Sequence, residues 1–319
     1  MEIDLKAFAA MGVFMPYAHT KMLAVINNNQ RFVHYTSADV AMSIIQSRQI
    51  WMRNTTVMND FKEIEYGESC LVAAYNSAVG AELKDYLEGL HSGFTKQFED
   101  LLNPWLRHFR SETYITCLSE HDASEDANGR LSMWRAYGGR NGVAMVINNA
   151  PFATSTDALK AYSSPVAYLT PEQFEQELAK ITDLIKTNKE RLGEIGRDGL
   201  IGYLFNAFQF AIICTKHPGF HEEREWRVIY SPTQGKSPII KSEVRAVNGV
   251  AQTIQMLPLL DEPEKGLYGA DVPSLLDRLI IGPSQYPWAT YKAFVTLLEE
   301  AGVSDAGNKV HVSDIPLRQ

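Results

Sequence analysis

Glu223-Arg224-Glu225-Trp226-Arg227-Val228-Ile229-Tyr230 is a short apolar strand with charges crowded at its mouth. The part from Trp226 to Tyr230 is rich in β-branched and aromatic residues, the composition of a buried strand. If the strand begins at Glu223, alternation sets Glu223, Glu225 and Arg227 on one face and Trp226 and Val228 on the other. Two carboxylates and a guanidinium beside an apolar strand are costly unless they are paired or used. Taken alone, the octapeptide reads as a solvated strand start with a structural Glu–Arg pair. A second polar cluster far upstream, at His34, gives a functional reading weight.

The chain around this stretch has ordinary globular composition: 319 residues, 45% hydrophobic and 21% charged. No repeat or low-complexity linker breaks it, so the expectation is one α+β domain over residues 1–319 with its core starting near residue 31. A net charge of -8 argues against a broad nucleic-acid-coating surface. A local basic strip near Arg48, Arg53, Arg135 and Arg140 stays open. Cys70, Cys117 and Cys214 sit in apolar settings without metal-type spacing, which reads as reduced core cysteines in a cytoplasmic protein and no metal site. No run of about 18 apolar residues and no signal-peptide layout occurs at the N-terminus, so no membrane partner is expected. Ala9 to Met15 is apolar but short, and Pro16 ends it.

Phe32-Val33-His34-Tyr35 reads as a short strand, with Thr36 as the N-cap of a helix whose apolar face carries Val40, Ile44 and Ile45. Ile50-Trp51-Met52 is another strand. Met58-Asn59-Asp60 is turn chemistry before a helix that runs through Tyr75. One long helical segment is expected from about Ala81 to Arg110. Strands follow at Tyr114 to Leu118 and Gly142 to Ile147, with a short helix between them, Ser132 to Tyr137, stopped by Gly138-Gly139. Glu120, His121 and Asp122 read as loop. Helices at about 171–215 interrupt the strands and are expected to form a protruding helical insertion. Strands resume at Trp226 to Tyr230, Ile239 to Val247 and Leu279 to Ile281. No Gly-x-Gly-x-x-Gly follows a strand, and neither a Gly-x-Ser-x-Gly nor a Walker loop appears.

Several short motifs, in order, resemble a bacterial family catalogued as a domain of unknown function (number 2971). They are His34-Tyr35-Thr36-Ser37; Ile50-Trp51 with Met58-Asn59-Asp60 and Glu63; Cys117-Leu118-Ser119; Met133-Trp134-Arg135-Ala136-Tyr137; Glu223 to Arg227; Ile280-Ile281-Gly282-Pro283; and Ser313 to Arg318. The layout is also similar to the ADP-ribosyltransferase superfamily. That resemblance implies a pair of small mixed sheets around an NAD-binding cleft, with helical insertions. It makes His34 the ribose-holding residue of the first core strand and Glu225 the late carboxylate beside the reacting ribose, with Glu223 completing a paired-Glu motif. Tyr137 is the first candidate for the nicotinamide-stacking aromatic, with Trp51 and Trp134 behind it. Tyr35, Thr36, Asn59 and Arg227 complete the implied NAD contacts. The Ser-Thr-Ser triplet of one major branch is missing, so that branch's middle-motif roles do not carry over.

The residue types suit the chemistry. Breaking the N-glycosidic bond of NAD develops positive charge on the ribose, which a fixed carboxylate stabilises. A neutral imidazole can bond a ribose hydroxyl. The resemblance therefore implies an NAD-consuming ADP-ribosyltransferase with a protein, RNA or DNA acceptor, acting as a toxin or anti-phage effector with a possible neutralising antitoxin. An NAD glycohydrolase on the same site, and a non-catalytic nucleotide- or partner-binding module, are the alternatives. His34, Trp134 and Tyr137 also have plain readings as core residues, and Met58-Asn59-Asp60 as a helix cap. If the site exists, His34, Tyr137 and Glu225 share one pocket, Trp226 points away into the core, and the helices of 171–215 lie outside it.

Overall fold

The computed structural model describes residues 5–57, 61–153 and 157–316. Twelve strands are described: β1 Arg31–Ser37, β2 Gln49–Asn54, β3 Tyr114–His121, β4 Gly142–Ile147, β5 Ala161–Pro165 and β6 Ala167–Tyr168. After a helical stretch come β7 Thr215–Lys216, β8 Glu225–Tyr230, β9 Lys241–Val247, β10 Val250–Pro258, β11 Leu276–Ile281 and β12 Val310–Val312. Ten of them form one sheet in the order β12-β11-β4-β1-β3-β2-β10-β9, with β8 on β3 and β5 on β8. Its pairs are antiparallel except β11 with β12. β6 and β7 form a separate parallel ribbon.

The expected pair of small sheets is thus a single hydrogen-bonded sheet, mixed in direction, and it forks at β3. One edge of β3 pairs with β8 from Tyr114 to Ser119. The opposite edge is shared. β2 takes Tyr114 and Ile115, while β1 takes Ser119 to His121. Between them β1 and β2 diverge, and residues 116–118 of β3 face a gap. This gap makes the site.

Two helices cover one face of the β1 side. Ala38–Ser47 contributes Ala41, Ile44 and Ile45, and Pro287–Glu300 contributes Phe294, Leu297 and Leu298, against Phe32, Val143, Trp226 and Ile281 of the sheet. A second core is helical. Leu5–Phe14, Phe61–Tyr75, Ala78–Leu90, Phe94–Ser111, Pro171–Thr187 and Gly196–Ile213 bury Phe14, Leu71, Phe98, Leu178 and Phe208 together. The helices of 171–215 are therefore not a protrusion. Their apolar faces are half of a core layer that the earlier helices complete. Residues before Arg31 also belong to the core, since Ala10, Val13, Phe14 and Val25 are buried.

Local chemistry explains the other departures from expectation. Pro16 opens a second helix, Pro16–Asn27, because a proline at the first helical position has no N–H to lose. The expected long helix breaks before Phe94, where Gly93 takes φ 77°. Strand β1 runs through Ser37, which takes the cap position expected at Thr36. Glu120 and His121 are strand, not loop, because β3 extends to pair with β1. The β9–β10 hairpin turns through Asn248-Gly249, with φ 51° and 80°, the two positive angles of a type I′ turn.

Candidate functional site: a charged pair at the fork of the sheet

The gap at β3 opens into a cavity of about 680 Å³, within the range of small-molecule sites. Its walls come from both arms of the fork. His34, Tyr35 and Thr36 stand on β1, Trp51 and Arg53 on β2, and Val247 and Asn248 at the hairpin tip. Thr116 to Ser119 of β3 form the base, with Tyr137, Glu223 and Glu225 at one end. None of the cavity's lining comes from residues 171–215.

His34 is half-buried, and its Nδ1 lies 3.0 Å from the carbonyl oxygen of Cys117, inside the gap. A carbonyl only accepts, so this contact makes Nδ1 the N–H donor and leaves Nε2 as an acceptor. Burial pushes the imidazole below its ordinary pKa, although the bond to Cys117 pulls the other way. His34 is accordingly a neutral side chain with a defined tautomer.

The carboxylates are positioned by a break in the strand. A 3-10 turn, Pro218–Glu223, ends at Arg224 with φ 44°, and β8 begins only at Glu225. Glu223 is therefore outside the strand, and alternation does not place it. The left-handed residue at 224 does, and both side chains still converge on one ammonium. Lys216 Nζ lies 2.6 Å from Glu223 Oε2, 2.7 Å from Glu225 Oε2 and 2.9 Å from Glu63 Oε1. Arg227 completes the cluster. Its Nε donates to Glu225 Oε1 at 2.8 Å, its Nη2 to Glu63 Oε2 at 2.7 Å, and its Nη1 to the Ile213 carbonyl. Tyr137, exposed on a π-type turn at Trp134–Gly138, donates its hydroxyl to Glu223 Oε1 at 2.9 Å. Irregular turns of this kind recur at functional sites.

Burial alone would raise the Glu225 pKa. The charges of Arg227 and Lys216 overcome it and hold the carboxyl down to about 2. Glu225 is thus ionised across the physiological range despite being only 5% exposed. Trp226 faces the other way, fully buried edge-on against Phe32 at 5.1 Å, with its indole N–H on Glu120.

Two residues expected at the ligand lie elsewhere. Trp134 is buried, packed edge-on against Tyr35 at 4.9 Å, and donates its indole N–H to the Asn128 carbonyl. Its three-residue spacing from Tyr137 does not put both on one face, because the turn between them is π-type and not α-helical. Arg227 is 0% exposed and lies behind Glu225 as its counter-ion, not in front of it as a ligand contact. Tyr35 borders the cavity but spends its ring on Trp134 and its hydroxyl on the Arg130 N–H. Of the basic strip, Arg53 reaches the cavity wall and Arg48, Arg135 and Arg140 do not. Asn59 lies outside the described residues.

Lys216 is the main residue that sequence reasoning missed. It follows an apolar helix in the sequence, and nothing local marks it as the partner of carboxylates at 63, 223 and 225. The hairpin tip was legible in principle, since Asn-Gly between alternating residues is a strong turn signal.

A family described as protein of unknown function (DUF2971) matches residues 133–228. The matched stretch contains Tyr137, Lys216, Glu223, Glu225 and Arg227, and stops short of the β1 arm that carries His34. No curated protein and no solved structure matches the chain.

Proposed function

We propose that the protein is an NAD-dependent ADP-ribosyltransferase whose reaction takes place in the forked-sheet cavity. The observation that carries this reading is that one cavity is lined by a tautomer-fixed imidazole on one arm and by the carboxylates of Glu223 and Glu225, of which Glu225 is held ionised, with an exposed tyrosine bonded to Glu223. In this reading His34 Nε2 accepts a hydrogen bond from a ribose hydroxyl of NAD. Tyr137 stacks on nicotinamide, and Trp51, 39% exposed on the far wall, is available to the other base. The bond from ribose C1′ to the nicotinamide nitrogen breaks and nicotinamide leaves with the electron pair. Positive charge grows on the ribose facing Glu223 and Glu225, whose negative charge is already in place and needs no reorganisation. An acceptor nucleophile then bonds to C1′ and releases its proton to a carboxylate or to water. With water as acceptor, the same site is an NAD glycohydrolase.

One observation favours a different class. Both oxygens of Glu225 already accept from cations, as expected if the carboxylate serves structure and the cavity only binds. Incubation with NAD separates the readings. Nicotinamide released only with added lysate or RNA supports transfer, and release without an acceptor supports hydrolysis. No release, with NAD bound, supports a binding module. A toxin or anti-phage role with a neutralising antitoxin belongs to the same proposal and requires NAD consumption in cells.

A further inference from the structure

We propose that Lys216 is the positioning residue that holds Glu223 and Glu225 side by side as a charged pair at the cavity wall. Its catalytic meaning rests on the NAD-consuming reading above; its geometry does not. An ammonium has three donors, and three carboxylates converge on Lys216 Nζ at 2.6, 2.7 and 2.9 Å. Two carboxylates this close repel and would share a proton unless a cation stands between them. Lys216 is 1% exposed, so its charge is weakly screened. The backbone fixes it in place. Lys216 pairs with Tyr168 in the β6–β7 ribbon, and the Tyr168 hydroxyl accepts the N–H of Glu225 at 2.8 Å. One small ribbon therefore sets both the ammonium and the start of the strand that carries Glu225. The ring of Phe220 lies 5.4 Å from the ammonium on a further side.

The titratable and charged groups packed around this ammonium come from several elements. They include Glu63 from the helix Phe61–Tyr75, Tyr168 from β6, Glu223 from the turn, and Glu225 with Arg227 from β8, while Cys117 of β3 and Cys214 before β7 act on Glu225 itself. Arg227 holds Glu225 through a bond of its own, Nε to Oε1 at 2.8 Å. The Glu223 side chain meets Lys216 and Tyr137. Removing the ammonium therefore separates the pair and does not simply unload both members.

The test compares wild type with Lys216→Arg, Lys216→Met and Lys216→Met/Glu63→Gln. The double variant keeps the local charge balance in case the single one does not fold. NAD turnover is measured against pH. The expected result for Lys216→Met is a fall in kcat of about 10²-fold with KM for NAD changed less than about threefold. Its acid limb should move up by about one pH unit, and Lys216→Arg should recover part of the loss. A folded methionine variant with kcat and acid limb unchanged overturns the proposal. If the wild type consumes no NAD, the transferase reading fails alone. The ¹³C resonance of the Glu225 carboxyl, assigned with Glu225→Gln, then decides. An upward move of its titration in Lys216→Met or the double variant sustains the positioning role, and an unchanged titration overturns it.

Discussion

Two networks of charged side chains brace this sheet, and they differ in what surrounds them. Behind the cavity, side-chain exposure runs from 0% at Arg227 and 1% at Lys216 to 17% at Glu223. At the start of β1, Arg31 bridges Asp126, in the turn after β3, at 2.8 Å and Asp277 of β11 at 2.6 Å, and Arg278 joins the same two aspartates. There the exposure is 18% at Arg31 and 29% at Asp277. Water screens the second network, so each of its members is replaceable at small cost. The first is dry at Lys216, Glu225 and Arg227, and each of these charges depends on the others. A dry network is weak evidence for stability, since apolar residues of equal volume would serve as well. It is better understood as a device that holds carboxylates charged at a place where charge is useful.

Removing one charge from each network sharpens the contrast. Arg227→Met leaves Glu63 and Glu225 buried without their guanidinium and should cost about 3–5 kcal/mol in urea denaturation. A loss near 1 kcal/mol would make the two networks equivalent and break the comparison. Glu225→Gln should keep the fold and lower NAD turnover by about 10²-fold or more. The same variant tests the sign of the pH dependence. Glu225 is held below its ordinary value of 4.5, so its stabilising charge is fully present above that value and is lost as pH falls from there through about 2. The stability gap between wild type and Glu225→Gln should therefore close across that window, as read by melting temperature.

Smaller effects follow for His34 and for the screened network. His34→Ala should weaken NAD binding by about tenfold in calorimetry, with little change in melting temperature. Burial lowers the His34 pKa, so the unfolded chain binds the proton first. Its contribution to stability should fall as pH drops below the ordinary value of 6.5, and His34→Ala should flatten that slope. Asp277→Asn should cost about 1 kcal/mol or less, and less still in high salt. A larger loss would show that Arg31 and Arg278 behave as a dry pair.

The strands and their facing were legible where alternation decides them. Trp226 lies in the core and Glu225 at the cavity because period-2 geometry leaves no other choice within β8. Glu223 escaped that rule, because a left-handed Arg224 stands between it and the strand. The apolar helices of 171–215 were visible as helices, but their partners, such as Phe14 stacked on Tyr203 from 189 positions upstream, were not. An amphipathic face announces that it will be covered without saying by what. Lys216 was illegible for the same reason, since its three carboxylates are brought to it by a helix, a turn and a strand. The fork itself has no sequence signature. It arises because β1 and β2 claim opposite ends of one edge of β3.

That fork has a consequence for motion. Among the described residues the arm made of β2, β10 and β9 pairs with β3 at Arg53 and Asn54, with the Thr55 N–H on the Thr113 carbonyl beside them, and Met52 and Leu257 pack there with Tyr114 and Tyr230. The other arm is anchored through β1 to β4 and β11 along most of their lengths. The two cavity walls differ in attachment by one register pair, three to β3 from β1 against two from β2, and the less-held wall is a leaf with Val247 and Asn248 at its hairpin tip. Amide hydrogens of β9 and β10 should exchange with deuterium well before those of β3 and β8. A molecule seated against the leaf should slow that exchange from the tip inward, giving a report of occupancy that needs no knowledge of the reaction.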